Sequence, residues 1–589
     1  MTTLFTTSYY SLAAFRIGLS CVLLYEILDH ISVMDVYFSE NGIWPTAMME
    51  ARSSPLHNFL CVHLWYEGSF LPLWVAVQIV AAVFLLIGYQ TRASAIVSWF
   101  LYNSLTLRNV WLSYIADRYF HVLLLYCAAL PCGRRWSADA NEERLAGASG
   151  GGGGGRKNRN EETYMSLLVA LYKLQVAWIY FDAGWGKFWN QGWSLRADPL
   201  SALDTYMRHT AFAAGLYRLV GVTTLRWLTP TVPLAELLAT PLAVAAGSLT
   251  GDGWQRLALA LVAVLPTMHA GIALTITNTL SLSLVASVAW LPFLPLRVWQ
   301  PVPKPQPQPP QPQQPQQPQQ PQSQPQPEPE LSDAARQHPA PPPPLLPLDD
   351  VLPFAAVAAF TLACVWFELS TKGGARCLSG SSFPEYQLAS VLLNNRWNVF
   401  VGADEYVTWE IMPAKLADGR VVDLWRRGGG PVSWEVPSLA LARLPPWQAV
   451  AAAVGLGPRD PHPRRGGRWR SFPYLSVADK GPRAAAGAPL ALPRWPWTRG
   501  GGSGCKADEA ATCRAEVEAF AVDDDEFRAR TWAYLCHAWN KAHPPSARVL
   551  RYNFWMLRAD IKPDLQYGEV TKRLIRAQEC PPDVDTTLH

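Results

Sequence analysis

The sequence SLLVALYKLQVAWIYFDAGWGKFWNQGW, residues 166–193, begins as a lipid-soluble segment and ends on a lysine among glycines and tryptophans. Its apolar part is long enough to cross a bilayer, which takes about 20 residues. On a helix, Lys173, Tyr180 and Lys187 recur every seven residues and Gly184 lies one turn before Lys187, so the four share one face. Charge at membrane depth is costly, so a lysine there either reaches the interface or serves a purpose.

The composition is that of a membrane protein. Of the 589 residues 50% are hydrophobic and only 16% are charged, whereas about a quarter are charged in soluble chains. The 26 tryptophans suit membrane interfaces, where indole rings settle. With a net charge of +4 and no basic tract interleaved with aromatic residues, nucleic acid is not an expected partner.

Apolar segments long enough to span a membrane recur along the chain and predict about eight to nine transmembrane helices. The loop at 133–164 is rich in arginine and lysine, whereas the loop at 30–69 contains one arginine. Since basic loops stay cytosolic, we expect a cytosolic N-terminus and a lumenal or extracytoplasmic C-terminal domain. The predicted spans are 11–29, 70–88, 93–112, 118–132, 165–186, 230–248, 255–275, 277–293 and 350–367.

The expected fold is a polytopic α-helical membrane bundle followed by a mainly β extramembrane domain. Two low-complexity inserts interrupt it, a glycine-rich loop at 145–160 and a proline/glutamine tract. The tract is interpreted as a disordered spacer; a ligand for a proline-reading domain is the alternative. The predicted parts are the bundle at 1–298, the linker at 299–348, the last transmembrane helix at 349–368 and the C-terminal domain at 369–589.

Strand-like runs predict the C-terminal domain. Two alternating runs, 406–416 and 420–425, are joined by an Asp-Gly dipeptide at 418–419, which supplies the positive φ that a tight hairpin needs. The segment 548–561 alternates similarly, and 524–543 has helical spacing. No cysteine and histidine spacing typical of zinc sites occurs, so no metal is expected. Disulfides are expected on the outer side, without an assigned pairing, among Cys377, Cys505, Cys513, Cys536 and Cys580.

Lys187 has two interpretations. In an apolar, aromatic setting its ammonium form is disfavoured, and a neutral amine is a usable general base. Alternatively, it reaches the interface beside the neighbouring tryptophans. Other polar residues at membrane depth pair with each other or line a polar cavity, and their number favours a cavity. They are Arg16, Glu26, Asp29, Arg108, Asn109, Asp117, Arg118, Glu236 and His269.

These segments resemble the horizontally transferred transmembrane (HTTM) domain shared with vitamin K-dependent gamma-carboxylases. The resemblance covers about 11–293 and 350–580. It is carried by the order of RIGLSCVLLYEIL, LRNVWLSYIADRYF, YFDAGWGKFWNQGWS, PLAELLATPL, MHAGIALTITNTLS and NNRWNVFVGADEYVTWEIMPAKLADGRVVDLW.

The resemblance implies a chemistry for Lys187. In the animal carboxylases a lysine in an AG-x-x-K stretch deprotonates vitamin K hydroquinone; with oxygen this yields a base that removes a γ-proton from glutamate, which then takes up carbon dioxide. Lys187 matches that lysine in AGWGK, Asp117 occupies the place of the helper histidine, and Gly186 stands where a second lysine occurs. His269 is a further catalytic candidate. The expected substrate-binding residues are Tyr180, Gly184, Trp185, Trp193, Arg108, Asn109 and Glu236.

Three functional classes remain open at the level of sequence. The first is a carboxylase-like enzyme that uses a reduced lipid quinone, oxygen and carbon dioxide, without metal, on a protein substrate with glutamate side chains. The second is a non-catalytic membrane scaffold or binding protein in which Lys187 anchors the helix. The third is a transporter, which lacks the inverted-repeat pattern.

Overall fold

The computed structural model describes residues 2–51, 53–65, 70–109, 112–149, 162–194, 201–249, 251–276, 279–299, 346–372, 392–393, 397, 399–400, 405–426, 429–436 and 525–581. The glycine-rich loop and the proline/glutamine tract lie almost entirely outside these residues. Cys377, Cys505 and Cys513 also lie outside them.

The N-terminal part is a bundle of helices. The helices that correspond to the nine predicted spans are α1 (Tyr9–Ile31), α2 (Leu71–Ile87), α3 (Thr91–Arg108), α4 (Ile115–Ala129), α5 (Leu167–Phe188), α6 (Thr231–Gly247), α7 (Asp252–Thr275), α8 (Leu280–Val288) and α9 (Leu348–Lys372). Helix α1 packs on α2 and α8, helix α5 packs on α6, and α6 packs on α7. A short antiparallel pair, β1 (Thr6–Ser8) with β2 (Thr163–Met165), joins the starts of α1 and α5.

Each of the nine apolar segments contains a helix, but the described residues contain fewer candidate spans than the expected eight to nine. Within the described residues four helical stretches are long and apolar enough to cross a membrane, namely Tyr9–Ile31, Val222–Gly247, Asp252–Thr275 and Leu348–Trp366. The second of these joins the short helix Val222–Leu228 to α6. Three others are shorter than these four, since α2 has 17 residues, α4 has 15 and α8 has 9. Helices α3 and α5 are long enough, but polar side chains such as Asn103 and Lys173 dilute their apolar character.

The C-terminal part contains the predicted β structure. Strand β6 (Val549–Asp560) is central and pairs antiparallel with β3 (Tyr406–Ile411), β4 (Pro413–Leu416) and β7 (Thr571–Glu579). Strands β4 and β5 (Val421–Asp423) form the expected hairpin, whose turn contains Gly419 at a φ of 88°. The run 406–416 is divided at Met412, whose N–H donates to Asp423 Oδ1 at 2.8 Å. The predicted helix is α10 (Asp525–Ala542).

The connection between α5 and α6 fastens the bundle to this sheet. Arg208 forms a buried ion pair with Asp204 at 2.5 Å and donates to the carbonyl of Ile561 at 3.2 Å. Tyr217 donates to the carbonyl of Pro563 at 3.1 Å, and Leu565 packs into a small apolar cluster with Tyr217. These contacts hold the C-terminal domain against the end of the bundle where α5 finishes.

A disulfide joins Cys536 on α10 to Cys580 after β7. We expect Cys536→Ser to lower the melting temperature, because a disulfide of this kind contributes about 2–4 kcal/mol. The exposed free thiol Cys21 offers a control, and Cys21→Ser should leave the melting temperature nearly unchanged. Peptide mapping without reductant should recover the 536 and 580 peptides linked; two alkylated thiols would contradict the assignment.

Candidate functional site

The site begins where α5 and α6 approach each other most closely. A Cβ added at Gly184 would lie 2.9 Å from Glu236 Cβ and 3.1 Å from the carbonyl oxygen of Pro233. Only a residue without a side chain permits this contact, as small residues do where membrane helices pack. The polar face predicted for α5 is buried throughout, including Lys173, Tyr180 and Lys187.

This close packing brings Lys187 onto Glu236. The Nζ atom of Lys187 donates to both carboxylate oxygens of Glu236 at 2.8 Å, and the two residues are 1% and 6% exposed. Lys187 also donates to the carbonyl of Ala183 at 3.4 Å. The amine therefore points inward, and its direct partner is a carboxylate that the sequence placed among substrate-binding residues.

A second buried polar pair lies beside this ion pair. The hydroxyl of Tyr180 and Nε2 of His269 are 2.9 Å apart, which joins α5 to α7 by a hydrogen bond. The Nδ1 atom of His269 is buried and has no hydrogen-bond partner among the described residues. A buried polar atom left without a partner is costly, so His269 has an open position for a ligand hydrogen bond.

A small cavity of about 20 Å³ lies next to these groups. This is about the space that one ordered water occupies, so a larger ligand enters only when the surrounding side chains move apart. Its wall is apolar and aromatic apart from a few polar groups, among them Glu236 and His269. The lining residues are Ile115, Tyr119, Ile179, Tyr180, Ala183, Glu236, His269, Ile272, Leu282, Trp397, Val399 and Phe400.

The two tryptophans predicted to bind substrate have different surroundings. Trp193 is buried, its ring centre lies 5.8 Å from Lys187 Nζ, and its Nε1–H donates to the carbonyl of Phe400 at 2.9 Å. Trp185 instead belongs to an aromatic row along α5, stacked on Phe181 and Phe188. Trp193 therefore adjoins the ion pair, whereas Trp185 packs within a row whose members Phe181 and Phe188 are exposed.

Asp117 caps the start of α4. Its Oδ2 accepts the backbone N–H of Tyr114 at 2.8 Å, and its Oδ1 accepts the hydroxyl of Tyr102 at 2.5 Å. The first contact is half of a capping box, which satisfies backbone donors at a helix N-terminus. Asp117 thus has a structural task that the sequence comparison with the helper histidine does not suggest.

Arg108 and Asn109 fasten the segment that follows α1. Arg108 is fully buried and donates to the carbonyls of Trp44 at 2.9 Å and Phe38 at 3.0 Å, while Asn109 donates to Tyr37 at 3.1 Å. The two side chains that we expected to bind substrate are therefore hydrogen-bonded to backbone carbonyls. Neither residue lines the cavity.

The one cluster of possible metal ligands among the described residues is Cys536, His537 and Cys580. Both thiols are joined in the disulfide, so they are not available as thiolate ligands. The histidine Nε2 lies 3.1 Å from the carbonyl of Pro581.

Sequence reasoning missed Trp397 and Phe400, which reach the cavity from the C-terminal part of the chain. The one feature of the sequence that hints at their position is Asp182, a carboxylate within the apolar run of α5. Asp182 accepts the backbone N–H of Trp397 at 2.6 Å. No local pattern around residue 397 indicates that it enters the bundle.

The ion pair makes a prediction about stability. Lys187→Met and Glu236→Leu should each destabilise the fold by about 3–5 kcal/mol, because each leaves one buried charge without its partner. The double variant Lys187→Met/Glu236→Leu should recover much of this loss, since two apolar groups replace the pair. Thermal unfolding in lipid nanodiscs measures the three shifts, and additive losses in the double variant would contradict a direct pair.

Gly184 makes a second prediction. Gly184→Val should separate α5 from α6 and lower the melting temperature strongly, since even a Cβ meets backbone at 3.1 Å. Gly271 on α7 is the matched control, because a Cβ there meets nothing within 4 Å. Gly271→Val should be neutral or slightly stabilising, through higher helix propensity. Similar melting temperatures for Gly184→Val and wild type would refute the close contact.

The site thus combines a buried ion pair, a tyrosine and histidine pair, and an aromatic cavity contributed by both parts of the chain. No protein-family model matches this chain, and neither a curated protein nor a solved structure matches it significantly.

Proposed function

We propose that this chain is an integral membrane enzyme that removes a proton from the hydroxyl of a reduced lipid quinone at the Lys187–Glu236 pair, in the manner of a gamma-glutamyl carboxylase. The observation that carries the proposal is the placement of a buried ion pair beside an aromatic cavity. Intramembrane charge is retained chiefly where it has a function, because a packed apolar pair is usually no less stable.

The ion pair is suited to proton removal in an apolar site. Glu236 lines the cavity and is the group that a bound hydroxyl meets. When Glu236 takes the proton, the negative charge moves from its carboxylate to the ligand oxygen, and the ammonium of Lys187 remains nearby to stabilise it. The net charge of the buried site stays at zero, so no isolated charge is created at low dielectric. Lys187 thus acts through a carboxylate.

The side chains around the cavity suit a flat, apolar head group, which enters when they move apart. Tyr119, Trp397 and Phe400 offer aromatic faces, and Nδ1 of His269 has no hydrogen-bond partner within the described residues. Tyr180 fixes the other imidazole nitrogen, so the ring is held in one orientation. In the family that the sequence resembles, the reduced quinone supplies, with oxygen, the base that activates a glutamate side chain for uptake of carbon dioxide. The apolar walls keep water from the reacting hydroxyl.

The remaining assignments follow the same resemblance to the HTTM domain. The bilayer is the source of the quinone. The C-terminal sheet is the surface for a protein substrate with glutamate side chains, on the lumenal or extracytoplasmic side, with the N-terminus in the cytosol. The four candidate spans support membrane insertion.

A non-catalytic scaffold is the second candidate, and one observation favours it. Both charges of the pair are satisfied within the chain, and the pair stands where Gly184 packs α5 against α6. In that case the ion pair is a helix fastener, and the bundle presents the C-terminal domain as a recognition surface.

An assay in nanodiscs distinguishes the two candidates. Purified protein receives reduced quinones, labelled carbon dioxide and a glutamate-rich peptide, and quinone oxidation and label uptake are both followed. Glu236→Gln and Lys187→Met should lower the rate by about 10²–10⁴-fold, the usual effect of losing a general base. Lys173→Met, which removes a buried lysine of the same helix that lies away from the cavity, is the control and should retain activity. Equal rates in wild type, Glu236→Gln and Lys187→Met would remove the catalytic assignment.

A further inference from the structure

Two buried polar pairs meet at the cavity from different helices. Glu236 of α6 holds Lys187, and His269 of α7 is hydrogen-bonded to the hydroxyl of Tyr180. Glu236 and His269 both line the cavity, and they are 6% and 5% exposed. Within the described residues no direct hydrogen bond joins Glu236 to His269, so the cavity separates the two pairs.

The cavity has the size and the lining of a water site. Its volume of about 20 Å³ exceeds the roughly 10–15 Å³ that one water needs, and an ordered internal water takes two to four polar partners. The carboxylate of Glu236 is one such partner, since it only accepts hydrogen bonds when ionised. Nδ1 of His269, which has no partner within the described residues, is the second. The phenol group of Tyr119 belongs to the same lining.

We propose that this cavity binds one water molecule, which bridges the carboxylate of Glu236 and Nδ1 of His269 and makes His269 the next acceptor of the proton that Glu236 removes. The bridge follows from the size and polarity of the cavity, whereas its use in proton transfer rests on the proposed function. A single enclosed water agrees with walls that exclude bulk water, because two fixed polar groups hold it.

The proton transfer is balanced in atoms and in charge. Protonated Glu236 gives its proton to the water oxygen while the water gives one of its own to Nδ1 of His269, so the water is regenerated. Glu236 returns to the carboxylate that pairs with Lys187, and His269 becomes an imidazolium. Together with the deprotonated ligand, the charges of these three side chains sum to zero, so the buried site gains no net charge. The step requires that Nε2 carries the imidazole hydrogen and donates it to Tyr180.

Solid-state NMR of the intact protein in lipid tests the bridge without any quinone. The histidines carry the heavy nitrogen isotope, and the signals that are lost in His269→Gln belong to His269. Nδ1 should be unprotonated and Nε2 protonated, with a cross-peak from Nδ1 to a proton that exchanges with water. A protonated Nδ1, or an Nδ1 with no water proton nearby, would overturn the proposal.

Variants that fill the cavity supply a matched control. Ile272→Phe should remove the cross-peak, because the ring takes the space of the water. Ile272→Leu conserves the volume and should retain the cross-peak. Leu282→Phe fills the cavity from α8, and it replaces Ile272→Phe in the test if that variant does not fold. A cross-peak that persists when either position carries phenylalanine in a folded protein would overturn the cavity as the water site.

Kinetics in nanodiscs with a reduced quinone test the proton transfer. In His269→Gln the side chain can still hydrogen-bond the water but cannot take the proton. A single turnover should keep its wild-type rate, because Glu236 still removes the first proton. The steady-state rate should fall by about 10²-fold, since Glu236 is not returned to its carboxylate form. Glu236→Gln should lower both rates. Equal losses of both rates in His269→Gln would overturn the role of His269 as the second acceptor.

The two experiments fail independently. A water at Nδ1 of His269 in a protein that oxidises no reduced quinone would remove the proposed function, and the proton transfer with it, and leave the bridge in place. Quinone oxidation by a wild-type protein with no water at Nδ1 would overturn the bridge and leave the proposed function in place.

Discussion

The buried contact between Lys187 and Glu236 is the interaction on which the rest of the site depends. Two opposite charges removed from water remain stable only at short range and with good geometry. Here both carboxylate oxygens lie 2.8 Å from the amine. That distance requires α5 and α6 to touch, and the touching point is Gly184. A glycine in an apolar helix thereby determines where a charge can be held at membrane depth.

The surroundings of this pair connect the bundle with the C-terminal part. Trp193 lies beside Lys187 and binds the backbone at Phe400, while Asp182 binds the backbone at Trp397. The contacts of Arg208 and Tyr217 with the loop after β6 hold the sheet at the same end. Helix α5 thus pairs Lys187 with Glu236, which lines the cavity, and holds the cavity wall through Asp182, five residues earlier.

Part of this arrangement can be predicted from the sequence. The seven-residue recurrence of Lys173, Tyr180 and Lys187 predicts their common buried face, because helical periodicity is a local property. The hairpin around Gly419 and the helix Asp525–Ala542 follow from equally local signals. The number of spans does not, since α8 (Leu280–Val288) covers only part of the predicted segment 277–293.

Contacts between residues that are distant in the sequence cannot be predicted in the same way. Glu236 is recognisable as a charge at membrane depth, but its pairing with Lys187 depends on where two helices cross. Arg108 carries the same kind of charge and instead binds carbonyls of a loop. Trp397 is an ordinary tryptophan in sequence and reaches the cavity only because a distant segment folds back onto α5.

Infrared spectroscopy of the Glu236 carboxyl group tests the central claim most directly. The difference spectrum between wild type and Glu236→Gln isolates this side chain in the intact protein in lipid. The ion pair predicts an ionised carboxylate in wild type, and a protonated acid once Lys187→Met removes its partner. A protonated acid at Glu236 in wild type, unchanged by Lys187→Met, would contradict the account.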